Sequence, residues 1–346
     1  MIFRILLLII NFLFSQNSYV SYGWEIFEYS QSARTAALGN AVSAYENNSS
    51  SSMENPVFIS KKKNRISLTH QNRFSGLLSS DLLTFDLQRN NQVLNVNLIY
   101  ENISDIPDTR NVLLDWGIDG QFGTNDLGEG NGIIDEGERL DTDKISFFNQ
   151  RRIGFYSAIN KKIKNYPIGF GIKVISTALK NNFSIGVGFD IGIIKNIKTT
   201  KYAFILENFP SSGILWENGT IEGTSPSLIF GLDRPFQNKN IKNIKFNLLY
   251  SFKTSFSNRH LDSQFRIGNF SLDNSFGLEI SYKKNLAFRF GKNKVNNLTG
   301  GLGVSFNEIE IHYAFLNSAL DYGLGSHHII SLNCSYDWIT KQLLKI

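Results

Sequence analysis

The sequence predicts an all-β fold, a transmembrane antiparallel β-barrel of about fourteen strands with an N-terminal plug. Three observations carry this. Apolar and polar residues alternate with period two along many segments. Many of those segments run about 9 to 11 residues, the length a tilted membrane strand needs, whereas globular strands more often run about 5 or 6. Long and short connections also alternate in a way that only a barrel crossing a membrane requires.

Period two is clearest over residues 183 to 193. Phe183, Ile185, Val187, Phe189, Ile191 and Ile193 share one face, and Ser184, Gly186, Gly188, Asp190 and Gly192 share the other. Successive strand side chains point to opposite faces, and no helix face separates residues this way. The pattern recurs in Ile244, Phe246, Leu248, Tyr250 and Phe252, in Phe276, Leu278, Ile280 and Tyr282, and in Ile330, Leu332, Cys334, Tyr336 and Trp338. A soluble sandwich also alternates. Strand length favours the barrel, as do the Gly and Ser residues on the polar face, which suit a crowded lumen.

Strands are expected at 65–71, 81–88, 92–101, 151–160, 168–177, 183–194, 200–208, 225–233, 244–255, 273–283, 286–292, 299–306, 308–316 and 327–338. Their number is even, as in single-chain bacterial barrels. With a periplasmic N-terminus, the longest connections (102–150, 209–224 and 256–272) follow odd strands and lie outside. The tightest, at Arg89-Asn90-Asn91, Lys283-Lys284-Asn285 and Asn307, follow even strands and lie in the periplasm. A miscounted strand would break this parity. The barrel is expected over 61–338, with a periplasmic tail at 339–346 and both termini in the periplasm.

Composition agrees with a barrel in a bacterial outer membrane. Charged residues are 19%, aromatics 13% and mean hydropathy −0.16. The charge is low for a soluble domain, and the hydropathy is too low for a helical membrane protein. Residues 1–21 read as a signal peptide, with Arg4, the apolar stretch Ile5 to Phe14, and cleavage between about 15 and 21 among Ser15, Ser18 and Ser21. Ten apolar residues are too few for a membrane helix, which needs roughly 20. One cysteine, Cys334, excludes an intrachain disulfide. No basic stretch has the aromatic interleaving of a nucleic-acid site, so that class is excluded.

Residues 22–60 do not fit the strand pattern. Ser32 to Ala44 is Ala-rich, Asn47 to Ser52 is a polar loop, and Asn55-Pro56 marks a turn. Trp24, Ile26 and Phe27 need burial, so this segment is expected to fold into the lumen as a plug. Ser32, Ala33, Arg34, Ala37, Leu38, Gly39, Ala41, Asn55 and Pro56 resemble the opening of the PorV/PorQ family, which is related to the FadL-type fatty-acid transporters. Asn40 and Val57 depart from that family's Gly and Ala. Gly171-Ile172-Lys173-Val174-Ile175, Phe189-Asp190-Ile191-Gly192 and Gly325-Ser326-His327 before Ile330-Ser331-Leu332 resemble its later strands, in order. His328 stands where the family usually has Arg. The resemblance covers nearly all of the mature chain and implies a fourteen-stranded FadL-like barrel with an N-terminal hatch.

An acidic stretch interrupts an otherwise basic chain. Residues 111 to 143 hold nine acidic residues and one basic, a net of −8, within a chain of net +5. Inside it the residues from Glu129 track a calcium loop: Glu129 at position 3, Asn131 at 5, Gly132 at the sharp turn, Ile133 at the carbonyl-donating 7, Asp135 at 9 and Glu138 at the bidentate 12. Position 1 is Leu127, which has no side-chain oxygen, and Asp126 beside it is the substitute. Calcium takes six to eight oxygens, so it is the expected ion for such a loop. The bland alternative is a solvated acidic loop.

No catalytic constellation stands out. His327 and His328 are adjacent on a strand and so point to opposite faces. Glu310, His312, Arg289 and Lys245 share the polar face, as a lumenal charge network would. No nucleophile elbow, zinc motif or phosphate loop is present, and an enzyme is not expected. The resemblance implies a type IX secretion-associated component that binds secreted cargo proteins or secretion-system subunits. The alternative it implies is a FadL-like transporter of hydrophobic small molecules. In either case the lipid of the outer membrane surrounds the wall.

Overall fold

The computed structural model describes residues 23–29, 32–46, 50–58, 65–89, 92–164, 166–237, 243–256, 263–283, 285–294, 297–317 and 325–344. The expected signal peptide and the Asn90-Asn91 turn lie outside the described residues. Fourteen wall strands follow one another: β1 Arg65–Arg73, β2 Leu78–Arg89, β3 Gln92–Asp108, β4 Ser146–Ile163, β5 Tyr166–Leu179, β6 Asn182–Ile197, β7 Thr200–Glu207, β8 Ser227–Phe236, β9 Ile244–Phe256, β10 Phe270–Tyr282, β11 Leu286–Lys292, β12 Leu298–Phe306, β13 Ile309–Leu316 and β14 His327–Ser335. Helices α1 Glu25–Glu28, α2 Ala33–Ala37 and α3 Ser51–Glu54 precede them, and α4 Tyr336–Leu343 follows. Each strand pairs antiparallel with its neighbours in sequence. β1 also pairs with β14, Arg65 opposite Ser335 and Asn72 opposite His328, which closes the ring. Closure matters because an unsatisfied backbone group in lipid costs several kcal/mol.

Three expectations about the connections change. The stretch 209–224 is not a long loop. After a break at Asn208, whose φ is +55° and whose N–H donates to Asp190 Oδ1, the chain continues up the wall as Ser212–Trp216, pairing with β6. It returns as Ile221–Thr224 into β8, so the turn shrinks to residues 217–220. Here apolar Ile214 faces the lumen and Gly213 faces outward beside Leu215, so the segment lacks the apolar-out, polar-in alternation of the other strands. Likewise β3 and β4 extend to Asp108 and Ser146, so the outer loop is 109–145 rather than 102–150. Finally, β14 stops at Ser335 instead of running to 338. Tyr336 and Trp338 belong to α4, not to a strand face.

The two faces of the wall differ as the alternation requires. Outside lie Leu68, Leu98, Ile172, Phe183, Ile185, Val187, Phe204, Phe288, Leu302 and Leu332, all among the exposed large apolar side chains. This apolar exterior on a closed barrel is the surface that an outer membrane solvates, and it places the protein there. An aromatic girdle marks the periplasmic edge, with Tyr166, Tyr282, Phe306 and the stacked pair Phe236–Phe246 at 4.9 Å. Inside lie Ser67, Thr69, Asn97, Asp190, Glu279, Arg289 and His312, all buried. They satisfy one another along polar ladders, such as Thr84 to Asn97 at 2.8 Å and Asn95 to Asp86 at 2.6 Å.

The plug is seated on glycines. A Cβ added at Gly277 would lie 2.7 Å from the carbonyl oxygen of Leu38, and one at Gly301 would lie 2.5 Å from the Cβ of Ala37. Gly291 meets Leu38-Gly39, Gly231 meets Ser43, and Gly169 and Gly192 meet Asn55 to Val57 in the same way. The small residues of the polar face are therefore recesses cut to the plug's backbone. Pro56 and Val57 lie low in the wall, against Gly169, three residues from the start of β5. Gly23 lies beside Ile214 and Glu222, close to the outer turn 217–220. The described N-terminal end thus rises to the loop-bearing end of the barrel, not the periplasmic end expected from sequence.

Candidate functional site

The lumen is closed by two layers. The lower layer is residues 32–46 and 50–58. Ser32 caps α2, accepting from the Thr35 N–H at 3.1 Å, and the Ala33 N–H donates to Ser331 Oγ at 2.8 Å. Arg34 then makes two bonds to Glu279, at 2.7 and 2.9 Å. The Tyr45 hydroxyl and Arg289 Nε each donate to the same carboxylate at 2.6 Å. Arg289 Nη1 lies 3.3 Å from His312 Nδ1, and His312 Nε2 lies 3.4 Å from Glu310. With arginine as the donor, the imidazole proton is assigned to Nε2, facing Glu310. Arg289, His312 and Glu310 therefore come together as expected. Lys245 sits exposed at the periplasmic end of β9, outside this cluster.

The upper layer is residues 23–29, towards the outer mouth. Charges hold its ends. Glu28 pairs with Lys294 at 2.8 Å and Lys253 at 3.2 Å, while Glu25 lies 3.6 Å from Arg152. Arg73 stacks on the Tyr29 ring at 4.3 Å. Between these anchors, Trp24 and Ile26 are buried against Leu82, Ile99, Tyr156, Ala158, Ile175 and Ile214. This is an apolar patch on the inner face of a polar lumen, covered by the N-terminal segment rather than by another wall. Lys173, paired with Asp190 at 2.9 Å, lies over the Trp24 and Phe27 rings.

The cover is imperfect. Trp24 Nε1, Trp216 Nε1 and Ser184 Oγ are buried with no hydrogen-bond partner among the described residues. Each unmade bond costs about 1–3 kcal/mol. Burying Trp24 and Ile26 contributes about 1.5–3 kcal/mol per side chain. The two effects are of the same size, so the upper layer is held mainly by its ion pairs. Sequence reading placed Trp24 in the plug but did not find this patch. Its wall residues come from five separate segments and carry no common motif.

The acidic loop folds on itself. Asp115 accepts from the Gly130 and Gly132 N–H groups at 2.8 and 2.7 Å, and these bonds hold its carboxyl below the ordinary aspartate range. Glu138 accepts from Gly117 and Asp135, both at 2.9 Å. Asp126 accepts from the Asp119 N–H at 2.8 Å, and Asn131 bonds Asp135 at 2.7 Å. Asp126, Asp135 and Glu138 cluster around Gly117 and Gly128, whereas Glu129 turns back to Gly123 and Asn125. The Ile133 N–H donates to Asn131 Oδ1 at 2.6 Å. Among the described residues, no three acidic, histidine or cysteine side chains gather closely enough to hold a metal ion. At the loop's base, Asp108 bonds Arg110 and Lys180, and these cations hold its carboxyl well below the usual range. His327 packs inward on the Phe74 ring at 4.7 Å, and His328 points outward to the Tyr313 hydroxyl at 2.8 Å, the opposite faces expected of them.

The chain matches no protein-family model and no curated protein. Among solved structures it is similar to a TodX monoaromatic hydrocarbon channel lacking S2 and S3, with 12% identity, 87% of this chain and 97% of that one covered, and a TM-score of 0.48. A TodX variant lacking S2 gives 11% identity, coverage of 89% and 98%, and a TM-score of 0.46. Omp33 from Acinetobacter baumannii gives 6%, 79% and 98%, and 0.39. The fold itself rests on the closed strand pairing: the chain is a fourteen-stranded outer-membrane β-barrel with an N-terminal plug.

Arg34→Met and Gly277→Val are each expected to unseat the lower layer while leaving the wall closed. In lipid bilayers both variants should conduct ions where the parent does not, and a Glu-specific protease should cut after Glu46 and Glu54. Unchanged conductance and cleavage would show that neither contact holds the plug.

Proposed function

We propose that the barrel takes hydrophobic compounds from the outer mouth onto the lumenal patch of Leu82, Ile99, Tyr156, Ile175 and Ile214, and passes them inward. The carrying observation is that this patch is covered by Trp24 and Ile26, with Met53 beside them, and that the first two lie on a short segment held at its ends by partly buried ion pairs. A compound with an apolar body and one acceptor atom would replace the two side chains and bond the free Trp216 and Ser184 donors. The TodX barrels are named as hydrocarbon channels, but the reading rests on the patch. Trp24→Ala removes about 1.5–3 kcal/mol of cover, so binding of a labelled naphthyl ketone by protein in nanodiscs should rise by roughly ten- to hundredfold. The same affinity in parent and variant would count against the lumenal site.

A second reading follows from the PorV/PorQ-like motifs and the closed lumen. In it the barrel is a type IX secretion-associated component, and its outer loops hold secreted cargo or secretion-system subunits. The loop offers Phe122 and Leu127, both 80% exposed, among its acidic residues. Mild crosslinking through Phe122→Cys on intact cells should then yield a discrete adduct with a secreted protein or a secretion subunit. Recovery of uncrosslinked barrel alone would remove this reading.

Calcium belongs with either reading. Its support is the net charge of the loop and the buried Asp126 Oδ1, which has no partner. Asp126, Asn131, Asp135 and Glu138, with the Ile133 carbonyl, would turn onto the ion, and Glu129 would have to swing over from Gly123. Millimolar calcium should slow cleavage of the loop by a Glu-specific protease in the intact protein, and a chelator should restore it. Equal cleavage in both would exclude the ion.

A further inference from the structure

Strand β14 does not end the chain. Helix α4 winds directly from Ser335, which is still extended at φ −78° and ψ 132°. The last outward residue of β14, Cys334, is paired with Ile66 and Ile309, and Ile309 is paired with Phe306, which is 71% exposed. So α4 leaves the wall at the level of the periplasmic aromatic girdle.

The helix is amphipathic. At about 100° per residue, Tyr336 and Ile339 lie within one narrow arc, and Asp337 and Lys341 lie on another. Tyr336 is 48% exposed, and Leu344, just past the helix, is 87% exposed. Asp337, Lys341 and Gln342 are exposed as well. Eight residues span about 12 Å, enough to lie along a surface and far too few to cross a bilayer.

We propose that α4 lies in the headgroup layer of the periplasmic leaflet, with Tyr336 and Ile339 towards the acyl chains and Asp337 and Lys341 towards water. The occupant of its apolar side is phospholipid, because the helix continues without a loop from a wall that already faces lipid. The chain itself tethers it there, so weak adsorption is enough to keep it down. The helix then acts as a collar that sets the height of the β14–β1 seam in the membrane.

The test uses the full-length protein in phospholipid vesicles, in a Cys334→Ser background with Cys334→Ala as a second. Spin labels are placed by Tyr336→Cys, Ile339→Cys, Asp337→Cys and Lys341→Cys. Barrel closure of each variant is checked by heat-shifted gel mobility. Labels at 336 and 339 should collide with dissolved oxygen more than with a water-soluble nickel chelate, and those at 337 and 341 should show the reverse. Equal access of the nickel chelate to all four positions would overturn the proposal and make α4 a water-exposed tail.

Discussion

The carboxylate of Glu279 is the point on which plug and wall meet. Arg34 and Tyr45 reach it from the plug, and Arg289 reaches it from the neighbouring strand. A buried carboxylate is tolerated only when paired and fully hydrogen-bonded. Here each half of the structure supplies what the other lacks. Without the plug, Glu279 keeps only its strand partner. Without Glu279, Arg34 is a buried cation inside the lumen. The constraint is mutual, so the plug and the barrel are one folded unit rather than a tube with a stopper.

Backbone shape completes that constraint. A lumen of this width has to be filled, and a side-chain-lined wall would hold the plug at arm's length. Glycines at 169, 192, 231, 277, 291 and 301 let plug backbone approach wall backbone directly. They weaken the strands they sit in, and the contacts they permit offset that loss. Outside the same strands, large apolar side chains face lipid. One set of strands thus satisfies two solvents, with period two keeping the sets apart.

The upper layer is built differently. It meets the wall through side chains, Phe27 against Gly154 among them, leaves buried donors unmatched, and depends on ion pairs near the mouth. Those pairs are partly buried, with side chains 14 to 29% exposed, and they gather at the ends of the segment. The plug is therefore graded, tightly fitted below and loosely fitted above. That gradient points any movement of the closure towards the outer end, where the apolar patch lies.

Much of this was legible in the residues themselves. Alternation such as Phe183 to Ile193 determined strand, face and lipid exposure, because period two is local. The even count and the parity of the connections determined topology. Trp24, Ile26 and Phe27, apolar in a stretch without strand alternation, marked the plug. What the sequence could not reveal was long-range. The continuation of β7 past Asn208 depends on pairing with β6, and α4 depends on where β14 runs out of partners. The partner of Arg34 lies more than two hundred residues away, at Glu279, and the patch under Trp24 is assembled from segments with no shared spacing. Local periodicity made this chain a barrel; only closure of the ring brought together the groups that fill it and the surface that its N-terminal segment covers.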